Sequence, residues 1–221
     1  GPAAHPNSRF TVSAKQHPAY SHLMEHPDGV PLSAILFGGR RREVAPLVYE
    51  ARDWVHGVMI GAGMASETTA AAVGQVGVVR RDSMAMKPFC GYNFADYWTH
   101  WLSFEGRVKH LPKVFHVNWF RQDKNGKFLW PGFGDNLRVL SWVIDRCEGR
   151  AKAHETPIGL LPHKEDLDLK GVTLPEGALH QLLDLDRAAW HTEIDDIGKY
   201  LEDFGSRTPP ALRGEYQRVK K

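Results

Sequence analysis

The sequence predicts an α/β fold, and three observations carry that prediction. Short apolar runs bounded by glycine recur through the first two thirds of the chain, amphipathic segments lie between them, and the last quarter turns helical. Strand-like runs alternating with helical ones are what a sheet covered by helices requires. In order, "AILFGG" (Ala34 to Gly39) reads as a buried strand ending on glycines. "PLVYEARDW" (Pro46 to Trp54) reads as a short helix, with proline near its start and Leu47, Val48 and Ala51 on one face. "GVMIGAGM" (Gly57 to Met64) reads as a second glycine-bounded strand and "VGVVRR" (Val76 to Arg81) as a third. "NFADYWTHWLSF" repeats aromatics at helical intervals, with His100 as a core histidine, and "KVFHVNWF" is a β-rich run. Asp135 is expected to cap a helix that closes at Gly149. In "DRAAWHTEIDDIGKYLEDFG" a single stripe gathers Trp190, Ile194, Ile197, Leu201 and Phe204, a helix that stops at Gly205.

The totals exclude several classes. A hydrophobic fraction of 42% and a charged fraction of 24% over 221 residues suit one good-sized globular lobe. A formal charge of +2 and the lack of any Lys/Arg stripe argue against a nucleic-acid partner. The two cysteines, Cys90 and Cys147, stand far apart, which favours a reducing, cytoplasmic compartment over a disulfide framework. No apolar stretch is long enough to span a bilayer, so no membrane is expected. His22 and His26 are four apart but bracketed by prolines, and no cluster has metal-ligand spacing, so no metal site is assigned. Gly1-Pro2 reads as a protease-cleavage scar, and residues 3–221 as one lobe of a larger protein.

Chemistry concentrates in "NWFRQDKNGKFLWPGFGDN". Asn125-Gly126 is a strong two-residue turn signal, because both residues tolerate positive φ, and it folds Phe120 back towards Phe128. Phe133 follows beyond Pro131 and Gly132. Aromatic faces gathered this way can hold a planar ring, and Asn136 can read that ring's edge; an aromatic mini-core under a hairpin is the plainer reading of the spacing alone. "FGGRR" delivers an arginine from a strand ending on glycines, which suits close approach to phosphate, although a tight turn with solvated arginines fits equally well. The motif GxxxxGK[ST] is absent. "HPNSRF" offers Asn7 and Arg9 as a carboxylate-binding pair. The small-residue segment Gly61 to Gly77 suits a mobile lid, a surface loop, or a helix capped by Ser66.

Together, "PNSRFT", "GVPLSAILFGGRR", "PLVYEARDWVHGVMIGAGMASETTAAA", "MAMKPFCGYNFADYWTHWL", "LPKVFHVNWFRQDKNGKFLWPGFGDNLRVLSWVIDR", "TPIGLLP" and "DLDLKGV" resemble the GTP-dependent phosphoenolpyruvate carboxykinases over nearly the whole chain. The resemblance implies the C-terminal nucleotide-binding lobe of that fold, a mixed sheet with flanking helices ending in helices. It implies conversion of oxaloacetate and GTP into phosphoenolpyruvate, GDP and CO2, in gluconeogenesis, by a monomer. Its small-molecule partners are those substrates and products; the resemblance places the ligands of Mn(II) and Mg(II), and the phosphate-binding loop, outside this chain. Carried over residue by residue, Phe120 and Phe133 match the aromatics that sandwich guanine, with Phe128 completing the pocket and Asn136 reading the base edge. Arg40 contacts the phosphates; Arg9 holds substrate carboxylates, and Asn7 lies near the departing carbon dioxide. The lid match begins Ser66, Glu67, Thr68, Thr69, Ala70, Ala71 and Ala72. The pattern departs at Ala65, where vertebrate members carry arginine, and near Val73 or Gly74, where they carry histidine. The resemblance turns the aromatic hairpin into a base clamp beside solvated basic residues, with a catalytically inert guanine-nucleotide-binding piece as the alternative.

Overall fold

The structure, a computed structural model, describes residues 11–69 and 75–221. Asn7, Arg9, Ala70, Ala71 and Ala72, all named as site residues from the sequence, lie outside the described residues. The α/β expectation is met by a five-stranded mixed sheet. Its strands are β1 (Ala34–Gly38), β2 (Val48–Glu50), β5 (Lys113–Val117), β6 (His154–Thr156) and β7 (Gly159–Leu161), in the order β1-β5-β2-β7-β6. β1 runs parallel to β5, while β2 is antiparallel to both β5 and β7. A separate two-stranded ribbon pairs β3 (Ala65–Glu67) with β4 (Val79–Arg81).

Side chains alternate along each strand, so the sheet feeds two cores. Ile35, Phe37, Tyr49 and Val114 face a layer built from α1 (Trp54–Ala62), α2 (Phe94–Leu102), α5 (Arg187–Glu202) and α6 (Pro210–Lys220). Leu36, Val48, Phe115 and Val117 face α3 (Asn136–Cys147) and α4 (Ala178–Leu183). Burial on both faces explains why "AILF" is continuously apolar instead of alternating. Trp98, Trp130 and Trp142 are fully buried and fill the two layers. No helix among the described residues is long and apolar enough to cross a membrane, and both cysteines are free thiols.

Two assignments are reversed by the structure. "PLVYEARDW" forms the central strand β2, because Leu47, Val48 and Tyr49 must be buried on both faces between two neighbouring strands. A run that short carries no reliable period. "GVMIGAGM" belongs to helix α1, started by the Asp53 carboxylate accepting the His56 N–H at 2.7 Å. Seven consecutive residues from His56 to Ala62 are buried, so the helix has no polar face to reveal its period. Its glycines are contact points: a Cβ on Gly57 would come within 2.6 Å of Val114, and one on Gly61 within 2.6 Å of Phe37. They let the helix lie close on β5 and β1.

α2, β5, α3 and α5 form where the sequence places them, and "VGVVRR" supplies β4. His100 is exposed, in ring contact with Phe104 at 4.9 Å, and is not a core histidine. Asp135 stands at the start of α3 without capping it; its carboxylate pairs with Arg138 at 2.9 Å.

Candidate functional site

The site grows from the end of β1. After Gly38 the chain passes so close to β3 that a Cβ on Gly39 would lie 2.2 Å from the Ala65 carbonyl oxygen. Only a residue without a side chain allows this approach. Gly39→Ala should therefore lower stability by about 1–3 kcal/mol, the usual scale for overpacking. An unchanged urea midpoint would contradict the close packing. The approach places the Arg40 backbone between two partners on β3: its N–H donates to Ser66 Oγ at 3.0 Å, and its carbonyl accepts from the Glu67 N–H at 2.8 Å.

The three consecutive arginines then part. Arg40 is exposed, its guanidinium 4.4 Å from the centre of the Phe120 ring. Arg41 turns inward and grips Glu193 of α5 through two bonds of 2.8 and 2.7 Å. Arg42 donates its Nε and backbone N–H to the two oxygens of the buried Glu67, at 2.8 and 2.7 Å. The alternative of a turn with solvated arginines fails at Arg41, which is only 7% exposed.

Glu193 also accepts from Arg81 of β4 at 2.7 Å, and Arg81 reaches Asp196 at 2.6 Å. Burial by itself would raise the Glu193 pKa. The hydrogen bond and charge of Arg41, joined by Arg81, override it and hold the carboxyl down at about 2. Next to this group His116 of β5 stacks on Tyr49 at 5.1 Å. Burial, followed by the charge of Arg41, pushes its pKa down to about 4, so it stays neutral near pH 7.

The aromatic hairpin follows β5. The structure corrects its turn. The Asp123 carbonyl accepts from the Gly126 N–H, and the Asp123 N–H donates to the Lys127 carbonyl; only Gly126 has positive φ, at 78°. It is a turn with a glycine bulge closing between Gln122 and Phe128, not a two-residue Asn-Gly loop. The Asp123 carboxylate fixes it by accepting the Asn125 and Lys127 N–H groups.

As expected, the hairpin brings Phe120 and Phe128 together, edge to face with centroids 6.2 Å apart. Phe133 stands 95% exposed, in a left-handed conformation at φ 51°. Its ring is in contact with neither of the other two among the described residues. Asn136 is tied into its own surroundings. Its N–H is taken by the carbonyls of Phe133 and Gly134, and its Oδ1 accepts from the buried Trp130 indole at 2.8 Å. Of the basic residues in the hairpin, Lys124 and Lys127 are exposed, whereas Arg121 is partly buried and donates to the Asp184 carbonyl at 3.3 Å.

Gly38, Gly39, Arg40, Ser66, Thr69, Val117, Trp119 and Phe120 line a cleft of about 290 Å³. It joins the arginine turn, the start of the small-residue segment and the hairpin. Ser66 and Glu67 lie in β3, not in a capped helix, and Thr68 closes the ribbon by pairing with Gly77 and Val78. A larger cleft of about 390 Å³, between Thr156 and Trp190, is lined by Trp190 and Ile194 of the α5 stripe but by none of the site residues named from the sequence. Phe128, Phe133 and Asn136 lie outside the lining of the smaller cleft. Sequence reasoning missed Asn118, Arg81 and Glu193, which organise the turn without facing the cleft. Asn118 offered one signal, a polar residue directly after the apolar run of β5; Arg81 and Glu193 offered none, because their pairing is made by the fold.

A family model described as the phosphoenolpyruvate carboxykinase C-terminal P-loop domain matches residues 1–221. Among curated relatives, phosphoenolpyruvate carboxykinase (GTP) of Chlamydia trachomatis is 51% identical over 220 residues, covering 99% of this chain and 37% of its own length. The protein of the same name from Chlamydia pneumoniae is 53% identical over 221 residues, with 99% and 37% covered. That from Anaeromyxobacter dehalogenans is 52% identical over 210 residues, with 95% and 35% covered. The chain thus spans a little over a third of the length of these relatives. It belongs to the family of the phosphoenolpyruvate carboxykinase C-terminal P-loop domain.

Proposed function

We propose that the chain is the guanine-nucleotide-binding part of a GTP-dependent phosphoenolpyruvate carboxykinase, which forms phosphoenolpyruvate, GDP and CO2 from oxaloacetate and GTP. The observation that carries this reading is the sharing of one cleft by Arg40 and Phe120. A cation suited to phosphate and an aromatic face suited to a base stand side by side. Phe120, with Phe128 against its edge, offers the platform, and the exposed Phe133 supplies a second face. Asn136, anchored through Trp130, holds the start of α3 beside that ring.

Arg40 rests on Phe120 in the free protein. A cation–π contact at an exposed site contributes about 0.5–1 kcal/mol. A hydrogen bond to a charged group contributes about 1.5–3 kcal/mol, so phosphate oxygens displace the guanidinium from the ring. Nucleotide binding thus both frees the Phe120 face and recruits Arg40. In phosphoryl transfer Arg40 then offsets charge on the transferring group. Ser66, Glu67, Thr68 and Thr69, continuing into Ala70, Ala71 and Ala72, act as the root and body of a lid that excludes water, so that an enolate is phosphorylated and not protonated. Arg9 and Asn7 hold the carboxylated substrate.

Among the described residues no three His, Cys, Asp or Glu side chains converge as a metal site. The family resemblance, and not that absence, is what assigns manganese and magnesium to ligands outside this chain, and no step is routed through them. A monomeric, cytoplasmic enzyme of gluconeogenesis completes the proposal.

Tryptophan fluorescence tests it, because Trp119 lines the cleft and Trp130 touches Asn136. Saturable quenching by GDP and inosine diphosphate, but not by ADP, is expected. Equal responses to all three would remove base recognition from these residues.

A further inference from the structure

Asn118, the residue after β5, is fully buried and uses every hydrogen-bonding position of its carboxamide. Nδ2 donates to the carbonyls of Arg41 and Ala45, both at 2.9 Å. Oδ1 accepts from the N–H groups of Arg41 at 3.3 Å and Phe120 at 3.1 Å. The partners dictate the orientation of the amide, since two carbonyls lie on one side and two N–H groups on the other. Its own backbone N–H is held by the Leu47 carbonyl at 3.0 Å.

One side chain therefore clamps the residue next to Arg40 and the backbone of Phe120. We propose that Asn118 is a positioning residue that holds the phosphate-side arginine and the base-side aromatic in one frame, so that base and phosphate recognition are coupled through its carboxamide. This deepens the guanine-nucleotide reading and rests on it. Among the described residues the Arg40 backbone is held by Ser66 and Glu67 of β3 and through its neighbour Arg41, while its guanidinium rests on Phe120. If Asn118 releases Arg41, the arginine turn can shift relative to the hairpin while Phe120 remains a stacking platform. Only a carboxamide supplies two donors and two acceptors in one plane, and glutamine would carry it one methylene further from the backbone. Aspartate keeps the acceptors but turns an oxygen towards two carbonyl oxygens.

The test compares GDP with guanosine by calorimetry on the full chain, because the ratio of their dissociation constants isolates the phosphate contribution. In the unaltered chain GDP should bind the more tightly. In Asn118→Asp the ratio should fall by about tenfold, the effect of losing one or two hydrogen bonds, while guanosine affinity stays within about twofold. Equal weakening of both ligands, or an unchanged ratio, overturns the role of Asn118 and leaves the nucleotide reading intact. Failure of the unaltered chain to bind GDP overturns both. Should Asn118→Asp not fold, amide hydrogen exchange on the unaltered chain decides. Saturating GDP should slow the Arg41 and Phe120 amides together, since one oxygen holds both. Slowing of one alone overturns the coupling.

Discussion

Phe133→Ala is expected to weaken GDP binding by roughly 5- to 150-fold, the equivalent of the about 1–3 kcal/mol that base–aromatic stacking contributes. Its folding stability should barely change. The two expectations separate because Phe133 is 95% exposed, so truncation removes almost no intramolecular packing. A large aromatic ring held out in solvent, on a backbone at φ 51°, costs the free protein conformational strain without a compensating contact. A ligand stacked on it would supply that contact. Calorimetric titration with GDP beside a thermal melt checks both halves. A lowered melting temperature with unaltered GDP affinity would make Phe133 a structural residue and end its assignment as a base clamp.

Glu193→Gln is expected to destabilise the fold by about 3–5 kcal/mol near pH 7, because it leaves Arg41 and Arg81 as buried charges without their shared partner. The Glu193 side chain is 10% exposed, and the two guanidinium groups are 9% and 8% exposed, so water cannot replace it. Arg81 keeps Asp196 and the Gly63 carbonyl, whereas Arg41 keeps at most the amide oxygen of the substituted side chain and no anion among the guanidinium partners of the described residues. The acid side of the stability curve gives an independent sign. The folded pKa of Glu193 lies at about 2, below the ordinary value of 4.5. Its stabilisation is therefore complete above about pH 4.5 and is lost as the pH falls from there through about 2. The substitution removes that titration, so the difference between parent and variant should shrink from pH 7 to pH 2. Urea midpoints across that range provide the measurement. A difference that is small at pH 7, or that grows towards acid, would refute the assignment of the carboxylate as the shared partner.

The same arrangement shows where a sequence stops informing. α5 was readable because Ile194, Ile197 and Leu201 face the core while Asp195 and Asp196 do not, a contrast repeating at the helical period. β1 and β5 were readable as compact apolar, β-rich runs, and α2 as a half-buried helix with alternating faces. α1 was not, because burial on all sides erases the polar face that marks a helix, and its glycines imitate strand ends. β2 was not, because three residues are too few to show any period.

The site divides the same way. The sequence by itself determined the α/β class, the hairpin that carries Phe120 against Phe128, and the glycine pair that leads into the arginines. These depend on neighbours a few residues apart, through turn chemistry and the need for a missing side chain. Only the tertiary structure decided which arginine faces solvent. Arg41 finds Glu193 at a separation of 152 residues and Asn118 at 77, and the charge of a buried guanidinium is tolerable only where such partners converge. Nothing within "GGRRRE" distinguishes Arg40 from Arg41, because the distinction lies in the distant residues that the fold packs against each of them.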